Sequence, residues 1–567
     1  MRVKSVADFS LSPSAPESKT SRLFGENPPL MSDRTCRAIL VLVITAGAIL
    51  RLWGLRFGFP HPVARPDEEV IVDTALGVLR DPNPHFFDWP TLFIYVTAVA
   101  YAVLFAVERA IGGAIRHATL AKAAFEPVLH LIPRALSAAA GILTIAALFG
   151  AARELFSRRV ALLAAGFLAV AFLHVRDSHF GVTDVPVTFL TVCAFWAGVR
   201  CATRGLTQAR AAIAGLLCGL ATSTKYNAAL VLLPAVVAIV SGTARERPRS
   251  TALAVRAVAV LLLCTASGFL VGTPFALLDH RTFWAAVTTV RSHLAGGHVV
   301  MARNGWMYHA AFSFRYGLGF PLVIAGCLGG CWLVAQRTWA AALVLAFPVP
   351  YYVLLGSGQT VFVRYMIPTV PFLCLTAAFF VDRVGESFGN LFKNRRARDV
   401  ATVALAAIIA APTAWTSLAF DRLMARSDTR VLGADWIASQ FPSGASMYQT
   451  GFGSGHLQPR PRGRYPQYRF NERANRFELD ELPAVDLPDL VVMLESPLGT
   501  YSQIAPQIAP LVAEHYVLAM TFDGVPAASA PGAVYDQEDA FFAPFGGIEN
   551  VTRPGPNVSI FERSRRR

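Results

Sequence analysis

Residues 131–200 read LIPRALSAAAGILTIAALFGAARELFSRRVALLAAGFLAVAFLHVRDSHFGVTDVPVTFLTVCAFWAGVR. Three apolar runs, near 131–150, 160–175 and 183–200, each approach the roughly 20 residues that cross a bilayer as a helix. A basic stretch separates the first two runs, and the polar stretch HVRDSHFGVTD separates the second from the third. This alternation of apolar runs with basic and polar loops predicts a polytopic membrane protein.

The composition of the whole chain agrees with that class. Of 567 residues, 54% are hydrophobic and 16% are charged, whereas soluble chains carry about a quarter charged residues. The formal charge of +14 comes from Lys and Arg between apolar runs, where they orient spans. We find no zinc-type Cys/His spacing and no basic patch interleaved with exposed aromatics. The sequence therefore argues against a nucleic-acid-binding protein.

The distribution of basic loops predicts which runs cross. Twelve apolar runs lie near 38–55, 91–108, 131–150, 160–175, 183–200, 211–224, 226–241, 251–272, 310–334, 339–356, 362–381 and 400–420. Basic loops fall on the cytoplasmic side of a membrane protein. They alternate with polar loops here only if the run at 91–108 does not cross. We therefore expect about eleven spans, with 91–108 forming a juxtamembrane or re-entrant helix.

The predicted domains are a disordered cytoplasmic tail (1–37), a helical membrane module (38–420) and an extracytoplasmic α/β domain (421–567). The first outer loop covers 56–130 of the membrane module. In the last domain, DTRVLGADWIASQ reads as an amphipathic helix, and PDLVVML and NVSIFER read as buried strands. The fold class expected is all-α and polytopic, with a small C-terminal α/β domain and a cytoplasmic N-terminus. All eight cysteines lie between Cys36 and Cys374, so this last domain would fold without disulfides.

Two acidic sites are expected on the outer face. HPVARPDEEV contains Asp67, Glu68 and Glu69 just after the first span, and Asp184 begins a span in RDSHFGVTDVPVTF. By themselves, three adjacent carboxylates can be a solvated loop and Asp184 can be a helix N-cap. The predicted topology places both sites at helix mouths on one face. Ionisable groups at such a depth usually line a polar cavity.

Two cations are expected on the same face. Lys225, in GLATSTKYNAAL, is the only lysine within the apolar runs and follows three hydroxyl residues. Arg364, in VFVRYMIPTVPF, begins a span and precedes Tyr365. Each cation can be an interface anchor, or it can bind a phosphate, for which Arg supplies a bidentate fork. The convergence of carboxylates and cations on one face indicates a functional site.

These motifs carry a resemblance. The sequence PDE, the helix start FDWPTLFIYV, and then PRALSAAAGILT, RDSHFGVTDVPVTF, GLATSTKY and VRYMIPTVPF resemble, in order, those of the dolichyl-phosphate-mannose–protein mannosyltransferase family. Trp89-Pro90-Thr91 departs from that family's Pro-Pro-Leu-type motif. The tail YDQEDAFFAPFGGIENVTRPGPNVSIFER resembles the end of bacterial members of the superfamily. The resemblance covers about 38–381 well. It is to GT-C glycosyltransferases, which include the bacterial aminoarabinose transferase.

The resemblance implies a glycosyltransferase. Its donor would be a sugar on a polyprenyl phosphate, and its acceptor a hydroxyl of an unidentified extracytoplasmic protein, lipid or glycan. Asp67 matches the catalytic acidic position and would act as base, with Glu68 as its partner. Lys225 and Arg364, with Tyr365, would bind the donor phosphate. Further candidates for the site are Asp88, Arg176 and His179. A single displacement would invert the anomeric carbon.

The resemblance leaves the cofactor open. In some relatives the positions of Asp67 and Asp184 hold a divalent cation, whereas others act without one. Two carboxylates suit Mg or Mn, and His179 nearby would shift the preference toward Zn. The implied location is the bacterial inner membrane. Two alternatives remain: a transporter or flippase of lipid-linked sugars, although no internal repeat is evident, and a non-catalytic polyprenyl-binding assembly protein.

Overall fold

The computed structural model describes residues 32–61, 63–110, 127–243, 251–299, 304–461, 463–526 and 532–564. Most of the predicted N-terminal tail lies outside the described residues, as does the part of the predicted first outer loop at 111–126. The first two thirds of the described chain is helical, and the last third contains the strands.

Short polar residues cap some of the helices before the middle of the chain. Ser32 accepts a hydrogen bond from Thr35 N at the start of the first helix, and Ser157 does the same for Val160 N. These helices are α1 (Asp33–Leu52), α2 (Glu68–Val78), α3 (Leu92–Ala110), α4 (Pro127–Leu155), α5 (Arg158–Val170), α6 (Phe172–Asp177), α7 (Asp184–Thr203), α8 (Gln208–Thr222), α9 (Leu232–Thr243) and α10 (Thr251–Gly272).

The remaining helices follow α10 in the chain. They are α11 (Phe275–Leu278), α12 (His280–Gly296), α13 (Gly305–Tyr308), α14 (Arg315–Leu318), α15 (Phe320–Ala335), α16 (Trp339–Leu345), α17 (Pro348–Gly356), α18 (Val370–Leu391), α19 (Arg395–Met424), α20 (Thr429–Gln440) and α21 (Ile508–His515). A π-helical segment, His309–Phe314, joins α13 to α14. Short 3₁₀ turns at Tyr226–Val231 and Val363–Thr369 precede α9 and α18.

The helices pack closely where small residues face each other. A Cβ added at Gly219 of α8 would lie 2.2 Å from the carbonyl oxygen of Thr265 in α10, and one at Gly215 would lie 2.3 Å from that of Leu261. Backbone approach of this kind is typical of helix pairs in membranes, where small residues allow van der Waals packing. The 15-residue α8 is thereby held within the bundle despite its length.

The structure identifies fewer candidate spans than the sequence. Nine helices of the described chain are long and apolar enough to cross a membrane, or ten if the bent pair Gly305–Leu318 and Phe320–Ala335 is one span. The run predicted at 160–175 is broken, because Ala171 is extended between α5 and α6. The run at 211–224 is the short α8. The protein is an integral membrane protein, and the count of eleven crossings stays a prediction.

Helix α3, which was predicted not to cross, is long and apolar enough to do so. Its contacts bear on the question. Leu92 N donates to Ser223 O at its start, and the hydroxyl of Tyr101, near its middle, donates to Leu129 O in the first turn of α4. The middle of α3 therefore lies beside the N-terminal end of α4. Only 28% of the most apolar stretch of α3 is buried within the protein.

The C-terminal part contains a seven-stranded sheet, as the sequence predicted for a small α/β domain. The strand order is β4-β3-β2-β1-β5-β7-β6, with β1 parallel to both β2 and β5 and the other pairs antiparallel. The strands are β1 (Met447–Gln449), β2 (Gln467–Asn471), β3 (Arg476–Leu479), β4 (Leu482–Pro483), β5 (Leu490–Glu495), β6 (Tyr516–Phe522) and β7 (Asn557–Arg563). The predicted strands PDLVVML and NVSIFER correspond to β5 and β7, and the predicted helix to α20.

The sequence suggested that the C-terminal domain lies outside the apolar core of the membrane module. One segment of the domain does not. Phe541, Phe545 and Ile548, between β6 and β7, are at most 4% exposed and pack in the same apolar core as the helices. Phe541 meets Phe57 and Phe180 edge-to-face at centroid distances of 5.8 and 4.9 Å. The C-terminal domain is therefore anchored in the helical bundle by its own aromatic side chains.

Candidate functional site

Asp67 and Arg364 form an ion pair at one end of the bundle. Arg364 Nη2 lies 2.9 Å from Asp67 Oδ2, and the Asp67 side chain is 30% exposed. Asp67 precedes α2 with a φ of 75°, a left-handed conformation that costs free energy for a residue with a side chain. Arg364 is placed by the 3₁₀ turn at Val363–Thr369. Both residues were predicted for the site, and the structure brings them together.

Glu68 points elsewhere, although it was expected to support Asp67 in catalysis. Its carboxylate is fully buried and binds Arg134 of α4 through two guanidinium nitrogens, Nε at 2.9 Å and Nη2 at 2.6 Å. Gly181 N also donates to Glu68 at 2.8 Å. Arg134 donates its remaining protons to the carbonyls of Leu55 and Phe57. These contacts fix the start of α2, and with it the backbone beside Asp67.

Glu69 is the third carboxylate of the motif and has a different environment. Its Oε2 is buried and has no hydrogen-bond partner among the described residues. Burial raises the pKa of Glu69 to about 7, and the neighbouring charges of Asp67 and Glu68 act in the same direction. Near neutral pH this carboxyl is therefore divided between its neutral and ionised forms.

Asp184 and Lys225 form the second ion pair of the site. Asp184 opens α7 and is 3% exposed, and Lys225 Nζ donates to its Oδ1. Lys225 Nζ also lies 5.1 Å from the ring centroid of Tyr365, a cation–π distance. Because Tyr365 follows Arg364 directly, the two ion pairs adjoin through these consecutive residues. The structure thus collects five predicted residues in one place.

The hydroxyl residues before Lys225 do not contribute to this site. Thr222 and Thr224 donate to helix carbonyls four residues earlier, and the hydroxyl of Ser223 pairs with that of Thr273 at 2.7 Å. The three hydroxyls therefore have their partners within the helices and at Thr273.

A further carboxylate reaches the site from the C-terminal domain. Asp539 is 4% exposed, and its Oδ1 lies 3.0 Å from Arg65 Nη1 and 3.3 Å from Arg364 Nη1. Its Oδ2 lies 3.6 Å from Arg176 Nη2. Burial opposes ionisation of Asp539, but the guanidiniums of Arg65, Arg364 and Arg176 together hold its pKa below the ordinary value. Sequence reasoning did not identify Arg65 or Asp539.

The neighbours of Asp539 complete an acidic segment. Asp536 accepts from the hydroxyl of Tyr308 at 3.1 Å and from Val363 N at 3.3 Å, directly before Arg364. Burial and the charge of Asp539 raise the pKa of Asp536 to about 7. Glu538 is 1% exposed and accepts from Val299 N at 3.0 Å. Through these contacts the acidic segment joins Val299, Tyr308 and the turn that contains Arg364 to the C-terminal domain.

The remaining predicted candidates occupy three different positions. Arg176 is buried and pairs with Asp177 at 3.1 Å in addition to Asp539. Asp88 is exposed at the turn before α3, beside Tyr226, whose hydroxyl donates to Phe87 O. His179 has its ring nitrogens 3.0 Å from Val175 O and 2.9 Å from Trp53 O. With both nitrogens on backbone carbonyls, His179 neither lines the site nor offers a free ligand nitrogen.

The acidic pair does not fit a divalent cation in this arrangement. Asp67 is bound by Arg364 and Asp184 by Lys225, so each carboxylate already has a positive partner. No group of three His, Cys, Asp or Glu side chains that could hold a metal ion occurs in the described part of the chain. While these ion pairs are formed, neither carboxylate is available as a ligand for Mg, Mn or Zn.

The comparisons with known proteins agree with this architecture. Residues 131–270 match the model of the family described as dolichyl-phosphate-mannose-protein mannosyltransferase. No curated protein matches the sequence. The structure of ArnT from Cupriavidus metallidurans in the apo state superposes with a TM-score of 0.51 at 14% identity, covering 93% of this chain and 98% of that one.

Two further solved structures are similar over a smaller share. ArnT from Cupriavidus metallidurans bound to undecaprenyl phosphate gives a TM-score of 0.41 at 18% identity, over 71% of this chain and 72% of that one. The apo oligosaccharyltransferase of Archaeoglobus fulgidus gives 0.47 at 13% identity, over 72% of this chain. This chain spans 59% of the archaeal chain. The resemblance to the mannosyltransferase family is confirmed over residues 131–270. The similarity to ArnT confirms the GT-C fold with a small C-terminal sheet domain.

Proposed function

We propose that this membrane protein of the GT-C fold transfers a sugar from a polyprenyl-phosphate carrier to a hydroxyl of an extracytoplasmic acceptor. The observation that carries the proposal is the pair of adjoining ion pairs, Asp67–Arg364 and Lys225–Asp184, at one end of an apolar bundle. The family match at 131–270 supports the donor class. A lipid-linked donor also accounts for a charged site in a protein built mainly of apolar helices.

The geometry suggests how the donor is held. A lipid phosphate is bound by positive groups. Arg364 and Lys225 belong to one site, because Tyr365, which follows Arg364 in the chain, contacts the ammonium group of Lys225. Each cation now pairs with a carboxylate. When the phosphate oxygens take up hydrogen bonds from Arg364, the carboxylate of Asp67 loses its partner and becomes a better proton acceptor. Donor binding would thereby prepare the base.

The proposed reaction is a single displacement. The acceptor oxygen attacks the anomeric carbon while the bond from that carbon to the phosphate oxygen breaks. The acceptor proton goes to Asp67, and the polyprenyl phosphate leaves with its negative charge held by Lys225 and Arg364. Attack opposite the leaving group inverts the anomeric configuration. Glu68 acts indirectly, by fixing the start of α2 through Arg134.

We also propose that the site faces away from the cytoplasm of a bacterial inner membrane. The basic loops support this orientation, as does the position of α3, whose middle lies beside the N-terminal end of α4. Arg134 in that part of α4 binds Glu68, next to Asp67. If α3 stays on the outer side, Arg134 at the N-terminal end of α4 lies on the same side of the membrane as Glu68 and Asp67.

Donor class can be tested directly. Purified protein in lipid nanodiscs should form product from the polyprenyl-phosphate sugar fraction of a bacterial lipid extract and not from nucleotide sugars. Mass analysis of the product identifies the sugar and the acceptor together. Transfer from a nucleotide sugar without lipid carrier would contradict the proposal. Translocation of the lipid-linked sugar without a new glycosidic bond would favour the flippase alternative instead.

A further inference from the structure

The backbone before Asp67 is held by the C-terminal domain. Arg460 Nη2 donates to Pro60 O at 2.8 Å, and the His61 ring nitrogen Nε2 lies 2.7 Å from His456 O. These contacts join segments that are far apart in the chain. They leave little freedom for the residues that lead into the acidic motif.

Arg430 of α20 continues this contact toward Asp67. Its two terminal nitrogens donate to the carbonyls of Val63 and Ala64, each at 3.3 Å. Arg430 is 1% exposed and is itself fixed by Asp428, with Nε and Nη2 at 2.9 and 2.7 Å from the carboxylate oxygens. A rigid guanidinium of the C-terminal domain thus positions the carbonyls just before Arg65.

Asp539 contacts two arginine side chains beside Asp67. It binds Arg65, which precedes Asp67 by two residues, and Arg364, the partner of Asp67. Phe541 and Phe545 follow Asp539 and are buried in the helical core, so the position of the carboxylate is fixed relative to the bundle. A segment that moves in and out of the bundle would not bury its aromatic side chains in this way.

We propose that the C-terminal domain is a structural part of the active site, and that Asp539 is the positioning residue that holds Arg364 and the Asp67 backbone in register. The proposal rests on the proposed function and extends it to a domain whose role neither the motifs nor the comparisons assign. Asp539 touches neither donor nor acceptor in this account. It acts through Arg65 and Arg364.

The physical reason lies in how Arg364 is shared. Its Nη2 faces Asp67 and its Nη1 faces Asp539, so each carboxylate receives one nitrogen. Without the Asp539 carboxylate, Arg364 is free to bind Asp67 through both nitrogens. A bidentate pair is stronger and more specific than a single contact, and it would keep Asp67 from accepting a proton. Arg65 and Arg176 would also lose a buried counter-charge.

Three variants test the proposal. Asp539→Asn removes the charge at nearly constant shape, and Asp539→Glu restores it. Asp489→Asn is the matched control, since Asp489 is an ion-paired aspartate of the same domain whose contacts are with Ser446 and Arg563. Hydrogen exchange of the backbone over residues 53–67 needs no substrate and reports on loop order. Sugar-transfer kinetics report on the reaction.

We expect Asp539→Asn to raise exchange over 53–67 and to lower kcat by about 100-fold, with a much smaller change in donor KM. Asp539→Glu should recover kcat to within about tenfold of wild type. Asp489→Asn should match wild type in both measurements. If Asp539→Asn fails to fold, the exposed Arg460→Ala decides, with raised exchange near Pro60 and a roughly fivefold lower kcat expected.

Unchanged exchange over 53–67 in the folded variants would overturn the proposal, because the domain would then not order the loop. A lower donor KM in Asp539→Asn would also overturn it, because the carboxylate would then compete with the donor phosphate. Failure of the wild-type protein to transfer sugar would contradict the proposed function instead. The exchange comparison would still decide whether the domain positions the loop.

Discussion

Arg364 Nη2 lies 2.9 Å from Asp67 Oδ2, and this ion pair joins the turn before α18 to the start of α2. Both residues were predicted for the site, but as parts of separate functions: one as base and the other as phosphate ligand. Their contact links the two functions, because the cation that would bind the donor also controls the charge on the base.

The donor cations can be tested by conservative substitution. Arg364→Lys should lower kcat/KM for the lipid-linked donor by roughly 10- to 100-fold, since a point charge cannot replace charge-assisted contacts in two directions. Lys225→Arg should have a smaller effect, because it retains the charge beside Asp184. The double variant should lose less than the two losses combined, since both residues share one ligand.

Lys393→Ala, in the exposed turn between α18 and α19, is a suitable control for those kinetics. If both residues are only interface anchors, the variants will show lower expression or thermal stability. Their donor kinetics, normalised to folded protein, would then equal wild type and would exclude the phosphate assignment.

Glu68 and Asp67 should respond differently to the same type of substitution. Glu68→Gln leaves the buried Arg134 without its counter-charge and should destabilise the protein by about 3–5 kcal/mol, the usual cost of breaking a buried ion pair. Glu386→Gln, in a partly exposed pair with Arg383, should cost about 1 kcal/mol or less. Thermal unfolding in detergent measures both. A stable but inactive Glu68→Gln protein would instead support a catalytic role for Glu68.

Glu69 should make stability depend on pH. Its folded-state pKa of about 7 lies above the ordinary 4.5, so the folded chain binds more protons than the unfolded chain between these values. The contribution of Glu69 is therefore fully present below about pH 4.5 and is lost as the pH rises through 7. Glu69→Gln should raise the Tm at pH 8 and leave it nearly unchanged at pH 5. An equal shift of Tm at both pH values would contradict this origin.

The position of α3 can be determined with reporter fusions. A reporter that is active only outside the cytoplasm should be active when fused after Ala110 and inactive when fused after Arg158. The expectation follows from the basic loops and from the contact of Tyr101 with Leu129. Inactivity after Ala110 would show that α3 crosses the bilayer and would reverse the predicted side of every later loop.

The sequence predicted which ionisable residues lie close together better than it predicted their contacts. Asp67, Asp184, Lys225 and Arg364 could be found because ionisable side chains at the ends of apolar runs are conspicuous and must face one side. Which carboxylate binds which cation depends on helix packing, which periodicity does not encode. The resemblance left a cation between Asp67 and Asp184 open, and the sequence does not reveal that these carboxylates pair with Arg364 and Lys225.

Asp539 could not be predicted by the same reasoning. It lies far from the apolar runs, in the tail YDQEDAFFAPF, where acidic residues read as a solvated face. The indications were the resemblance of this tail to bacterial members of the superfamily and the adjacent aromatic run, which is unusual for an exposed loop. Similarly, α8 and the broken α5–α6 pair look like spans by hydropathy, but their lengths are set by packing and by the extended Ala171.

Asp67 is proposed to accept the proton of the acceptor hydroxyl. Single-turnover transfer by the Asp67→Asn variant tests this role most directly. Asn tolerates the left-handed backbone at this position, so the fold and donor binding should persist. The variant should bind the polyprenyl-phosphate sugar at least as tightly as wild type, because Arg364 no longer pairs with a carboxylate at this position. It should transfer the sugar at least about 100-fold more slowly, the scale expected for a positioned base. Transfer at close to the wild-type rate would remove Asp67 from the reaction and contradict the account.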